Sequence, residues 1–211
     1  MKKILSIILL TASALTIHPL NAQTRTDSSQ TEAPSMTAGE LEEMAVVLVA
    51  FKNRSLDMQK QYEAALETSG WNSLMDAERL SRDAGFVQSK QIVANGKNIY
   101  KQYSKKAFSI IDQTDKGFKK IKFTSSEGKK FSTRIGGEMN ALRALAQIHW
   151  DLERKIMLKM EDMIILLSTP AVAWTVEEQQ IVFRNERDNK KFEQCIKDLA
   201  QLIEQQQELK E

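Results

Sequence analysis

Between positions 41 and 65 the chain places Leu41, Met44, Leu48, Phe51, Ser55, Met58, Tyr62 and Ala65 at alternating steps of three and four residues. Such steps return a side chain to one stripe of an α-helix, and that stripe needs another helix to cover it. The rhythm returns three more times. Phe86, Ser89, Val93, Gly96, Tyr100, Tyr103, Ala107 and Ile110 keep it, as do Met139, Leu142, Ala146, His149, Glu153, Ile156, Met160, Met163 and Leu167. Phe192, Cys195, Leu199, Leu202, Gln206 and Leu209 carry it near the C-terminal end. Four such stripes predict an all-α, elongated antiparallel bundle of about four long helices. With only three Pro and eight Gly in 211 residues, little in the composition opposes long helices.

Helix boundaries follow from local chemistry. Thr37-Ala38-Gly39-Glu40 fits a capping box, in which the Thr hydroxyl and the Glu carboxylate each accept from the other's backbone N–H. The first helix is therefore expected from Thr37, with a stop at Gly70. A second helical region is expected over 71–113, kinked near Gly85 or Gly96, and a third over 138–168, ended by Pro170. The small residues Ser89, Gly96 and Ala107 would let a neighbouring helix approach closely.

Residues 114–137 break the rhythm. They read as a long loop or a small β-hairpin, with a turn at Ser125-Ser126-Glu127-Gly128 and a close at Gly136-Gly137. After Pro170, one reading is a helix running to the end. Because residues 184–191 contain no apolar side chain, a short β-hairpin over 174–183 is preferred, turning at Glu178-Gln179. Asn185 then caps the last helix.

The N-terminal region has a different character. Lys2 and Lys3 precede an apolar run from Ile4 through Leu10 that continues to Ile17, Pro19 breaks it, and Ala22 offers a cleavage position before Gln23. Basic, apolar, then small is the layout of a secretory signal peptide. The run falls short of the ~20 residues that span a bilayer. The expected organisation is a signal peptide at 1–22, a flexible polar tether at 23–37 and one bundle domain at 38–211, periplasmic or secreted. After processing no transmembrane anchor is expected. Loss of Lys2 and Lys3 leaves acidic and basic residues balanced, so a globally basic nucleic-acid binder is not indicated.

Motifs for chemistry are sparse. Beyond residue 22, His149 is the one histidine, on the apolar face of the third helix with Glu153 one turn on. A helical di-iron site needs two Glu-x-x-His units, and position 146 is Ala. The pair is read as a polar pair inside the seam, one that fixes helix register. Cys195 falls on an inward position and is read as buried. No phosphate-cradling Gly-rich loop, zinc spacing or Ser/His/Asp arrangement is present. No cofactor, metal or catalytic activity is expected.

Two clusters remain as candidate sites. Lys116, Lys119, Lys120, Lys122, Lys129, Lys130 and Arg134 surround Phe118, Ile121, Phe123 and Phe131, with Glu127 the one acid among them from 116 to 134. Cations around exposed aromatics suit an anionic surface such as lipid head groups or an acidic glycan. The plainer reading tucks the phenylalanines under the bundle end. Trp174, Ile181 and Phe183 either cover the other end or offer an edge to a partner.

By its layout alone, a signal peptide, a polar tether and long helices, the chain resembles minor pilus subunits of type IV secretion systems and periplasmic holdase chaperones. That resemblance implies an exported accessory protein that binds an envelope protein. The runner-up is a binder of an anionic envelope component through 116–134, and the third reading is a hydrolase whose site the sequence does not display. Helix seams can also pair between chains, which leaves oligomerisation open.

Overall fold

The computed structural model describes residues 35–209, so the expected signal peptide and most of the expected tether lie outside the described residues. Five α-helices and one two-stranded sheet follow in order: α1 (Ala38–Thr68), α2 (Ala77–Arg82), α3 (Val87–Lys120), α4 (Ser126–Ser168), β1 (Trp174–Glu177), β2 (Gln180–Phe183) and α5 (Glu186–Glu208). The all-α bundle expected from the stripes is what forms. α3 runs antiparallel to α1, through Arg54 to Gln113 at 2.8 Å and Lys106 to Gln61 at 2.6 Å. α4 runs antiparallel to α3, with Lys97 paired to Glu161 and Arg143 to Asp112.

α1 begins as its capping chemistry requires. The Thr37 hydroxyl accepts from the Glu40 amide, and the Glu40 carboxylate accepts from the Thr37 amide. Along α1 the seam residues Met44, Phe51, Met58 and Tyr62 are buried. They meet Tyr103, Ile110 and Ile111 of α3 and Trp150, Ile156 and Met160 of α4 in one continuous core. Met36, just before the cap, packs against that core as well.

The expected second helix is interrupted. Residues 71–86 form two single 3-10 turns around α2, and α3 starts only at Val87. The break falls at Gly85, whose φ of +67° is left-handed, and Phe86 follows at +57°. Asp83 replaces a conventional cap. Its carboxylate accepts from the amides of Gln88 and Ser89 and from the Ser89 hydroxyl, at 3.0, 2.7 and 2.6 Å. Although burial works against the charge, those bonds and the Arg79 guanidinium hold the Asp83 carboxyl below its usual range. Gly96 does not interrupt α3. It makes room for the Trp71 ring, whose edge lies 2.5 Å from where a Cβ would stand.

The loop or hairpin expected over 114–137 is not formed. α3 continues to Lys120 and α4 starts at Ser126, leaving only 121–125 between them. Ser125 is a helix cap, accepting from the Gly128 amide at 2.9 Å, so the serines read as a turn begin a helix. Gly136 and Gly137 lie within α4, which at 43 residues is about 65 Å long.

The hairpin at 174–183 is present. Trp174 pairs with Phe183 and Val176 with Ile181. Glu178 and Gln179 both have positive φ, at 48° and 64°, as a two-residue type I′ turn demands. Asn185 caps α5, accepting from the Asp188 amide at 2.9 Å. α5 then packs back antiparallel along α4, through Lys159 to Asp198 at 3.0 Å and Glu153 to Gln206 at 2.7 Å.

Candidate functional site

At the end formed by the 121–125 turn, the basic residues gather as the sequence suggested, on a different scaffold. Lys116, Lys119 and Lys120 stand on the last turns of α3, Lys122 in the turn, and Lys129, Lys130 and Arg134 on the first turns of α4; all seven are exposed. Their aromatic neighbours are not exposed with them. Phe118 and Phe131 are buried and meet edge to face at 5.9 Å, while Ile121 and half-buried Phe123 pack beneath the turn. Helical spacing puts Phe118 and Phe131 on the inward stripes and the lysines outside. The end is therefore a cationic shell over an apolar interior, partly neutralised by Lys119–Asp115, Lys130–Glu127 and Arg134–Glu138 pairs along the helices.

This end is fastened to α1 by one carboxylate. Besides capping its own helix, Glu40 accepts from the Thr124 and Ser125 amides at 2.5 and 2.9 Å and from the Ser125 hydroxyl at 2.5 Å. The Ser125 bonds lead the causes that hold the Glu40 carboxyl far below the usual carboxylate range. Gly128 allows this closeness, since a Cβ there would stand 3.0 Å from the Glu40 carboxylate and 2.7 Å from the Phe123 ring. The capping box was visible in the sequence, whereas its second role, across eighty-five positions, was not.

Trp174, Ile181 and Phe183 do not form an outward edge. They are half-buried and packed on the core. The Trp174 indole N–H donates to the Leu167 carbonyl at 2.9 Å, its ring meets Phe86 edge-on at 6.1 Å, and Phe183 stacks on Phe192 at 5.2 Å. The strand alternation turns these three inward and leaves Thr175, Glu177, Gln180 and Val182 outside.

The polar residues of the α4 seam sit at the level where α5 ends. Glu153 is buried and accepts from the Tyr62 hydroxyl at 2.6 Å and from the Gln206 amide group at 2.7 Å. Burial, then the Glu153 charge and hydrogen bond, raise the Tyr62 hydroxyl well above its ordinary range. Three helices thus meet on one carboxylate. His149 is buried one turn away, its ring edge-on to Trp150 at 5.7 Å. Cys195 is half-buried, and burial pushes its thiol up, which lowers its nucleophile content at neutral pH. Among the described residues no group of three His, Cys, Asp or Glu side chains could hold a metal ion. No helix among them is long and apolar enough to cross a membrane.

One further feature was missed from the sequence. A cavity of about 40 Å³ lies between α1, α3 and α4. At this level three small side chains face the bundle axis together, Ser55 from α1, Ala107 from α3 and Ala146 from α4. Phe51, Met58, Ile110, Ile111 and Trp150 line it as well, and Leu142, Leu145 and His149 complete its α4 wall. A wider groove of about 310 Å³ between α3 and α4 is spanned by the Lys97–Glu161 ion pair.

No protein-family model matches the chain, and the comparisons with curated proteins and with solved structures found no match. The fold presents a helical bundle with a cationic end, an opposite end covered by the hairpin and a cavity in its flank.

Proposed function

We propose that this is an exported, non-enzymatic accessory protein whose work is to hold a protein partner of the cell envelope. The observation that carries this reading is the unequal length of the helices. α4 has 43 residues and α5 has 23, and the pairing of Glu153 with Gln206 puts the end of α5 level with about Trp150. Beyond that point the seam continues without α5 beside it. Leu152 is 6 % exposed under α5, whereas Ile148, one turn earlier, is 48 % exposed, and Leu41 on α1 is 45 % exposed. Large apolar side chains left uncovered beyond the end of α5 suit a macromolecular contact. Export is supported by the sequence of residues 1–22.

The test has two parts. Mass spectrometry of the protein from periplasmic and culture fractions should find an N-terminus at or near Gln23. An unprocessed cytosolic form would remove the export reading. The processed chain should then co-purify from envelope fractions with a defined protein in stable proportion.

The alternative is binding of an anionic envelope component, and exposed Lys116, Lys120, Lys122 and Lys129 at one end favour it. With Phe118 and Phe131 buried, such binding would rest on charge alone and weaken steeply with salt. Co-sedimentation with anionic vesicles that is lost on changing Lys119, Lys120 and Lys122 to Glu would support it.

A further inference from the structure

We propose that the outer face of α3 binds an acidic glycan chain laid lengthwise along it, with the sugar carboxylates on a row of lysines and one sugar ring in the groove between α3 and α4. The inference rests on the alternative reading above, an anionic envelope component, and moves the contact from the 121–125 end to the length of α3.

Charge is unevenly spread over the bundle. α3 carries eight lysines against two aspartates. α1 carries six acids against three bases, and α5 six against four. On α4, Lys159 reaches α5 while Glu161 reaches α3, and a step of two residues turns a helical side chain by about 200°. α3 and α5 therefore flank α4 on opposite sides. A molecule so polarised turns its α3 side toward a polyanion.

The lysines of α3 form a row. Lys90, Lys97, Lys101, Lys105, Lys116 and Lys119 recur at steps of seven, four, four, eleven and three, which keeps them on one face over about 44 Å. All are exposed except half-buried Lys97. Lys97, Lys101 and Lys105 are spaced by four, a like-charge spacing that weakens a helix on its own. A face that meets water alone interleaves its signs, as Lys130–Glu127 and Arg134–Glu138 do on α4 and Lys190–Glu186 does on α5. Among the described residues, ion pairs engage two of the eight α3 lysines, Lys97 with Glu161 and Lys119 with Asp115. Most of the row is thus left uncompensated by the fold.

Shape selects the ligand. On the α4 flank of the row the signs mix, with Asp151 and Arg154 both near Tyr100 and Glu161 on Lys97. The cations therefore make a line, which matches a linear polymer, and not the plane that a bilayer surface would meet. Between Lys90, Lys97 and Lys101 opens the groove of about 310 Å³, with Val93, Ala94 and Ile164 in its lining. Its volume reaches the lower bound of small-molecule sites, about 300 Å³. Apolar lining beside cations fits the C–H face and the carboxylate of an acidic sugar. Among the described residues that line it there is no aromatic ring for a nucleic-acid base to stack on.

The experiment is titration calorimetry on the protein purified from the cells that produce it, with an oligogalacturonate long enough to span the row. A neutral galactan, single-stranded DNA and phosphatidylglycerol vesicles serve as comparison ligands. The oligogalacturonate should bind most tightly, and the galactan should not bind. The triple variant Lys90→Gln, Lys101→Gln, Lys105→Gln should weaken binding by about tenfold or more and flatten its salt dependence, since fewer counterions are released. Lys122→Gln, Lys129→Gln and Lys130→Gln together, off the row, should weaken it by no more than about threefold through screened long-range attraction. Ala94→Glu should match the loss in the row variant. Its carboxylate would stand four residues after Lys90 and three before Lys97, pairings that support a helix. An unchanged melting temperature then separates loss of binding from loss of fold.

Vesicles bound more tightly than the oligogalacturonate overturn the glycan and leave the anionic-component reading standing. The same follows if the variant at the 121–125 end loses as much affinity as the row variant. DNA bound as tightly as the oligogalacturonate, or full binding in both the row variant and Ala94→Glu, also overturns the inference. No binding of any anion at low salt defeats this inference and the anionic-component reading together.

Discussion

The Glu40 carboxylate accepts a hydrogen bond from the Ser125 amide at 2.9 Å, tying the first turn of α1 to the turn between α3 and α4. The same carboxylate serves both helix starts, so its charge stabilises the fold at two places at once. Its folded-state pKa is depressed below the ordinary 4.5. A depressed carboxyl contributes stability that is complete above the unfolded-state pKa and declines as pH falls toward the folded-state value. Glu40→Gln should therefore lower the melting temperature at pH 7, and the gap to the unaltered protein should narrow steadily below about pH 4.5. Thermal unfolding across pH 3–7 measures it. A gap that widens in acid would contradict the assigned bonds.

Tyr62→Phe removes one of the two side-chain donors that reach Glu153 from α1 and α5. A buried carboxylate deprived of a donor costs about 1–3 kcal/mol. Urea unfolding should show that loss. Tyr62→Phe combined with Gln206→Leu should cost more than the sum of the single changes, because the carboxylate then loses both.

Two glycines should respond with opposite signs to alanine. Both lie inside helices, where Gly→Ala is ordinarily worth about 1 kcal/mol. At Gly137 nothing lies within 4 Å of the added methyl, so the full gain should appear. At Gly96 the methyl would meet the Trp71 ring at 2.5 Å, and overpacking costs about 1–3 kcal/mol. Gly96→Ala should thus destabilise the protein, and Trp71→Leu should make it tolerable. Denaturant midpoints of the three variants decide the matter.

At the hairpin tip Gln179 holds a φ of 64° without being glycine. That conformation costs an L-residue about 1–2 kcal/mol. Gln179→Gly should recover part of it, raising protection of the β1–β2 amides in hydrogen exchange. Gln179→Val should lower it.

The bundle was legible because its stripes are long: Met44 to Tyr62 and Met139 to Leu167 carry enough three–four steps to fix helix and inward face together. The capping box at Thr37, the cap at Asn185 and the Glu178-Gln179 turn were legible because each is local. The segment 114–137 was misread although its period is there. Phe131, Ile135, Met139 and Leu142 step by four, four and three. Gly128, Gly136 and Gly137 obscured that period, since one glycine serves close approach and two stand in open space within a helix held by its neighbours. The break at Gly85 was half legible. That Asp83 would cap α3 in place of a residue at position 86 depends on the path of the chain through 71–86. The cavity lay beyond reach of the sequence, because Ser55, Ala107 and Ala146 share a level only once helix registers are set.

That coincidence of three small side chains has a volumetric consequence. Three small side chains at one level leave the packing between their helices loose, and because unfolding removes internal void volume, hydrostatic pressure favours the unfolded state. The layer at Ser55 should make the molecule more compressible on one flank than elsewhere and lower the pressure at which it unfolds. Ala146→Val should raise that midpoint.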